Sequence, residues 1–209
     1  MRLKSLLPLL LLSCLVSCIN LRTDYPKITY YNLMGAPTII STDFQIDASL
    51  QIRDVEVAGG IEGDYLYYSS ENSSIKKLFY HRWITDISSV ATDFFKRRYS
   101  ELNVFQQGVI NSSSAVIPDY TLELRLQQMD CVTSEKKPTD SSYVKVSVMA
   151  TLVKSPQGLE QPKTLYSKSI SSRVKRGDAS TESIVKAYDK AFSNISDMIF
   201  AEMYYKFNE

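Results

Sequence analysis

Two stretches of this chain alternate apolar and polar residues so regularly that only a half-buried β-strand satisfies them. In the first, Tyr120, Leu122, Leu124 and Leu126 fall on one side and Thr121, Glu123, Arg125 and Gln127 on the other. In the second, Val144, Val146, Val148, Ala150 and Leu152 repeat the period of two, which in an extended chain sends successive side chains to opposite faces. A strand buried on both faces reads instead as an unbroken apolar run. These two therefore belong to an antiparallel or mixed sheet with one face left to water or a partner. The hydrophilic residues 134–142 between them are the expected hairpin loop.

Shorter strands are expected at 28–33, at 44–52, at 65–69, at 75–81, at 102–106 and at 164–174, separated by turn-forming residues. The alternation that starts at Phe44 changes phase at Arg53-Asp54, which suggests a bulge. Two segments change to the helical period. Trp83, Ile84, Ile87, Val90, Ala91, Phe94 and Phe95 predict a helix over 85–100; Ile184, Ala187, Tyr188, Ala191, Phe192, Ile195, Met198, Ile199 and Met203 predict one running nearly to the C-terminus. Asp178, Ser180 and Thr181 are all competent to cap the second. The expected fold class is α+β: a mixed, largely antiparallel sheet packed by two long helices.

Composition narrows the function. With 24 basic against 23 acidic residues in 209, the chain has no overall field to draw in nucleic acid. Its one histidine, His81, has no His, Cys or carboxylate neighbour at ligand spacing, so a structural role is expected and no metal site. The carboxylates form no paired-acid motif, no calcium loop follows the acidic spacing, and no serine sits in a nucleophile elbow. The Gly-rich segment Gly59-Gly60-Ile61-Glu62-Gly63 lacks the Lys-Ser/Thr ending of a phosphate loop and leads into Tyr65-Leu66-Tyr67-Tyr68, so it reads as a turn with positive φ. No catalytic residue and no cofactor site can be named, and the expectation is a non-enzymatic protein. The basic clusters Lys96-Arg97-Arg98 and Arg173-Lys175-Arg176 read as solvated faces or contacts with anionic lipid headgroups.

The N-terminus carries the most specific signal. Arg2 and Lys4 precede an apolar run from Leu6 to Val16; its length of roughly 10–14 residues suits a secretory signal and falls short of the ~20 that cross a bilayer. The run ends in Leu15-Val16-Ser17-Cys18, which resembles the bacterial lipobox. Cys18 is then the lipid-attachment residue, its thiolate taking a diacylglycerol thioether, and two or three acyl chains hold a protein to a membrane where one does not. The organisation expected is a signal peptide over 1–17, a lipidated tether over 18–27 and a single domain over 28–209. Ile19, rather than Asp, follows Cys18, which favours the periplasmic face of the outer membrane under the sorting rule of enteric bacteria. Loss of residues 1–17 leaves 22 basic and 23 acidic residues. Cys131 is then the one unmodified thiol, so no disulfide within the chain supports the fold, and a buried, unreactive thiol is expected.

The order of these pieces resembles the ABC-type transport auxiliary lipoprotein family, which includes the PqiC-like proteins. The resemblance rests on Leu15 to Cys18 followed by Thr29-Tyr30-Tyr31-Asn32-Leu33, on Leu78-Phe79-Tyr80-His81-Arg82-Trp83 entering a helix, on Asp119-Tyr120-Thr121-Leu122 opening a long strand, and on the terminal helix. It implies a periplasmic domain similar to the N-terminal domain of TolB and a partnership with an ABC permease and an MCE-domain substrate-binding protein that move phospholipid or other hydrophobic molecules. Self-association is compatible with the sequence. The alternative is another envelope interaction module, such as an activator of cell-wall synthesis, against which the short tether argues. Replacement Cys18→Ser is expected to abolish metabolic palmitate labelling and release a folded protein from the membrane fraction; labelling that persists in the variant contradicts the assignment of Cys18.

Overall fold

The computed structural model describes residues 26–35, 45–61, 63–70, 74–133, 142–156 and 159–208. The expected signal peptide, Cys18, most of the expected tether and nearly all of the expected 134–142 loop lie outside these residues. The described chain forms one nine-stranded mixed sheet and two helices, as the hydrophobic periods require. The strands are β1 (Thr29–Tyr31), β2 (Leu50–Ile52), β3 (Glu56–Val57), β4 (Tyr65–Ser70), β5 (Ile75–Trp83), β6 (Val109–Ile110), β7 (Tyr120–Thr133), β8 (Tyr143–Lys154) and β9 (Lys163–Lys175). The helices are α1 (Ile87–Leu102) and α2 (Thr181–Asn208).

β7, β8 and β9 make the long antiparallel part, with Leu122 opposite Leu152 and Val148 opposite Ile170. The other edge of β7 is shared by three short strands in parallel register: β2 at Leu50↔Tyr120, β3 at Glu56↔Arg125 and β4 at Ser69↔Val132. β5 continues the sheet beyond β4 in antiparallel fashion, and β1 lies parallel to β5 at the edge. The alternating residues Leu122, Leu124, Leu126, Val144, Val146, Val148, Ala150 and Leu152 are all buried, as their period demands.

The helices cover that buried face. α1 lies over β2, β3 and β6 and α2 over β8 and β9. They meet where Phe94 and Phe95 pack against Phe192, with ring centroids 5.7 and 6.0 Å away, an arrangement that adds to burial of about 1.5–3 kcal/mol per large side chain. Tyr99 donates a hydrogen bond to the Ser196 carbonyl (3.1 Å), and the buried Arg98 pairs with Asp197 (2.8 Å). Asp86 caps α1 by accepting from the Ser89 N–H at 3.0 Å, so the helix starts two residues later than the pattern suggests; Asn103 closes it in the left-handed region at φ 49. Of the three capping candidates for α2, Ser180 holds the position, its hydroxyl accepting from the Ser183 N–H at 3.1 Å.

Two expectations need correction and one is borne out. The strand expected over 44–52 is confined to Leu50–Ile52, with Ile46 only bridging to Phe105. The phase change at Arg53-Asp54 is the expected bulge: β2 and β3 pair with the same partner, but the register moves from Ile52↔Leu122 to Glu56↔Arg125, so residues 53–55 lie opposite 123–124; Val55 turns inward there and its N–H donates to Thr92 of α1 at 2.8 Å. Residues 102–106 are not a strand, because Leu102 ends α1 and Val104 and Phe105 are buried from the turn that follows.

One clamp joins the starts of β2 and β7. The Asp119 carboxylate accepts from the Ser49 N–H (2.8 Å) and hydroxyl (2.7 Å), while the Ser49 hydroxyl accepts from the Asp119 N–H (3.0 Å). The backbone bond from Ser49, followed by its hydroxyl, holds the Asp119 carboxyl below the usual carboxylate range. A carboxyl whose pKa is lower folded than unfolded contributes stability above its unfolded pKa, and that contribution disappears as pH falls through the folded value. Asp119→Ala is expected to lose about 1.5–3 kcal/mol at neutral pH in urea titration, with the difference from the parent shrinking on acidification below about pH 4. A difference independent of pH contradicts the clamp.

Candidate interaction surface

The sheet has a second face, away from the helices, and its two ends differ in chemistry. Toward β8 and β9 it is mainly polar: Thr151 and Ser167 share a hydrogen bond at 2.8 Å, Ser147 and Ser169 one at 3.3 Å, Ser169 donates to Gln127 at 2.7 Å, and the Arg173 guanidinium carbon stands 3.5 Å from the centroid of the Tyr143 ring. Toward β4, β5 and β1 it is aromatic and basic. Lys77 Nζ stands 3.1 Å from the centroid of the Tyr65 ring, and the Arg82 guanidinium carbon 4.4 Å from the same centroid. Phe79 meets Tyr65 edge-on at 6.4 Å, and Tyr30 lies opposite Arg82 in the β1–β5 register. Two cations over one ring use its negative face. Asp64 is paired with Arg82 at 3.4 Å, a half-buried bridge at long range that contributes little to stability. Ile75, Phe79 and Tyr30 are 75%, 63% and 56% exposed.

An irregularity in β5 assembles this group. Opposite β4, the partner steps from Arg82 at Tyr65 to Leu78 at Leu66, so the residues between are bulged and the alternation of faces breaks. Phe79 keeps the face of Ile75 and Lys77 beside Tyr65, Arg82 is brought opposite Tyr65 by the bulge, and His81 turns to the helical side. There the His81 ring stacks on Tyr31 and its Nδ1 is 2.9 Å from the Tyr31 hydroxyl, which also donates to Glu182 of α2 at 3.3 Å. Burial, and then the nearby Glu182 charge, raise the Tyr31 hydroxyl above its ordinary value. His81 is thus a structural link between β1, β5 and α2, as its isolation in the sequence suggests.

Because β4 bonds to β7 only through Ser69 and Ser70, the two strands splay apart. The wedge holds a cavity of ≈ 90 Å³ lined by Leu66, Trp83, Ile87, Met129, Cys131 and Tyr188 among others. Small-molecule pockets start at about 300 Å³, so this cavity cannot enclose an acyl lipid. Cys131 is 2% exposed; burial raises its thiol, and the Arg176 guanidinium works against that rise. The Gly-rich segment is a turn beside the wedge, with Gly60 and Gly63 at φ +94 and +97 and the Gly63 carbonyl accepting from the Ile87 N–H of α1. Gly59 does not share the positive φ.

The basic clusters are largely structural. Lys96 pairs with Asp54, Arg97 donates to the Leu33 and Met34 carbonyls, and Arg98 is buried against Asp197. Arg176 is buried too, donating to Thr133 at 2.7 Å and to the Ser180 carbonyl at 3.0 Å. Arg98 thus joins the two helices, Lys96 and Arg97 tie α1 to the segments after β2 and β1, and Arg176 ties the end of β7 to the start of α2. Among the described residues no group of three or more His, Cys, Asp or Glu could hold a metal ion, and no helix is long and apolar enough to cross a membrane.

The fold and surface define an α+β domain whose unusual chemistry lies on an exposed sheet face. The chain belongs to the family of ABC-type transport auxiliary lipoprotein components, whose family model matches residues 31–200. That family name ties it to an ABC transport system and to a lipoprotein class. Its fold is similar to that of a Xanthomonas campestris protein of the DUF330 family, with a TM-score of 0.70 at 13% identity over 86% of this chain and 97% of that one. An uncharacterized protein matches with a TM-score of 0.62 at 14% identity, over 85% and 99% of the two chains. A hypothetical protein from Chlamydia trachomatis matches with 0.50 at 9% identity, over 76% and 96%. No curated protein matches the chain.

Proposed function

We propose that this protein is a lipoprotein anchored through Cys18 to the periplasmic face of the outer membrane, where it serves as a non-catalytic auxiliary component of an ABC transport system. In this reading its partners are an MCE-domain substrate-binding protein and the cognate permease, and the cargo is phospholipid or another hydrophobic molecule. The family match over residues 31–200 carries the reading. Leu15-Val16-Ser17-Cys18 supports the anchor and Ile19 the outer membrane.

In this reading the domain acts by binding rather than by carrying cargo: the apolar cavity between β4 and β7 holds only ≈ 90 Å³, and the larger hollows of ≈ 510 and ≈ 330 Å³ are lined mostly by charged and polar residues such as Lys154, Glu160, Lys163 and Lys206 in one and Lys175, Asp178, Glu182 and Lys186 in the other. Anchoring raises the effective concentration of a weak contact, so a modest docking surface suffices to hold a transport assembly beside the membrane. A cell-wall synthase activator would need a longer linker to reach across the periplasm than the short stretch between Cys18 and β1 provides.

The test is affinity purification of the full-length lipidated protein from detergent-solubilised envelopes, followed by mass spectrometry of what accompanies it. An MCE-domain protein together with an ABC permease is the expected result. A penicillin-binding protein as the specific companion overturns the proposal.

A further inference from the structure

The tether and the aromatic-basic end of the sheet meet at β1. The span from Cys18 to Ile28 reaches at most about 36 Å when fully extended, and as a flexible coil averages roughly 20 Å. A folded domain of this length has a radius of gyration of about 16 Å. A lipid on Cys18 would therefore keep the start of β1 within roughly one domain breadth of the leaflet, whatever the rest of the domain contacts. Tyr30 is two residues beyond Ile28, and the surface it joins is the one already described on β4 and β5.

That surface has the composition of a membrane-water interface. Rings with polar ends, Tyr30 and Tyr65, stand with the apolar Phe79 and Ile75 and with Lys77 and Arg82. Tyrosine concentrates at headgroup level because its ring is apolar and its hydroxyl polar, and lysine and arginine are drawn to anionic headgroups. The opposite end of the same face, at β8 and β9, satisfies its central hydroxyls internally and carries one cation over one ring, Arg173 at 3.5 Å from the Tyr143 centroid, but no large apolar side chain of either strand is exposed as Ile75 and Phe79 are.

We propose that the Tyr30, Tyr65, Ile75, Lys77, Phe79 and Arg82 surface rests on the phospholipid headgroup region of the leaflet that holds Cys18, fixing the orientation of the domain so that its β8–β9 end points away from the membrane. This rests on the anchoring of Cys18. The lipid is a supporting surface here and not a bound cargo.

The experiment uses the full-length lipidated protein reconstituted into vesicles of phosphatidylethanolamine with a minority of phosphatidylglycerol. An environment-sensitive fluorophore is attached at Phe79→Cys, at Tyr30→Cys or at Ser169→Cys; buried Cys131 remains unlabelled in the folded protein. Flotation of the vesicles reads anchoring, and quenching by headgroup-nitroxide lipid reads apposition. The expected result is flotation of all three variants, with quenching several-fold stronger and emission blue-shifted at Phe79→Cys and Tyr30→Cys relative to Ser169→Cys. The Tyr30→Cys variant keeps the test open if Phe79→Cys fails to fold. Protein that floats with all three positions equally unquenched overturns this orientation while leaving the anchor intact. A probe at either aromatic position that becomes shielded only after envelope proteins are added also overturns it, since a protein then occupies the surface. Failure to float overturns the anchor, and the orientation with it.

Discussion

β7 has hydrogen-bonding partners on both edges, and the rest of the domain depends on that. One edge is filled by β8 from Tyr120 to Val132. The other is filled in sections by β2, β3 and β4, none of which pairs with it over more than a short register. The short strands contribute too few ladder bonds to stand alone, so each is held by its contact with β7 and by what packs over it. Val55, between β2 and β3, is tied to Thr92 of α1, and the start of β2 is clamped to Asp119. The helices then bury the face that β7 and β8 present, and Phe94, Phe95 and Phe192 close the layer between them.

Sectional pairing also produces the features that give the domain its surface chemistry. Where β4 leaves β7 the sheet opens, and the small cavity floored by Trp83 and Tyr188 lies in that opening. Where β5 bulges opposite β4, the residues beyond Phe79 change face and Arg82 comes opposite Tyr65, so that an aromatic group with two cations over the Tyr65 ring forms. The basic residues with buried guanidinium groups serve the opposite purpose. Arg98 bridges the two helices through Asp197, and Arg176 joins the end of β7 to the cap of α2 through Thr133 and Ser180. Charge on this protein is thus divided between groups that hold elements together and groups that face outward beside aromatics.

The long periodic elements were legible because their burial follows one period without interruption. Leu122 to Leu126 and Val144 to Leu152 alternate to the end, and the α1 and α2 stripes recur at three and four residues. The resemblance to the transport auxiliary family was legible from Tyr80-His81-Arg82-Trp83 and from the order of elements, and the family match agrees with it. What escaped was set by tertiary pairing. Strands such as β3 and β6 have two residues each and show no period; their identity comes from the neighbour they bond to. Residues 102–106 have strand-like composition but follow a helix cap, and Val104 and Phe105 are buried as a turn. Arg97, Arg98 and Arg176 read as exposed because no local pattern announces partners such as the Leu33 carbonyl, Asp197 and Thr133, which lie 64, 99 and 43 residues away. The Tyr65 surface stayed hidden for a related reason: simple alternation along β5 puts Phe79 with His81 and Trp83, and only the bulge separates them.

A domain organised in this way should lose its edges before its centre, since an edge strand has one ladder and β7 has two. Amide hydrogen exchange of the full-length protein, followed by mass spectrometry, measures this directly. Peptides from β7 and β8 should exchange last, through global unfolding alone, while those covering β1 and the outer edge of β9 exchange earlier. Exchange of β7 at the rate of β1, or protection of β9 that outlasts it, contradicts the account.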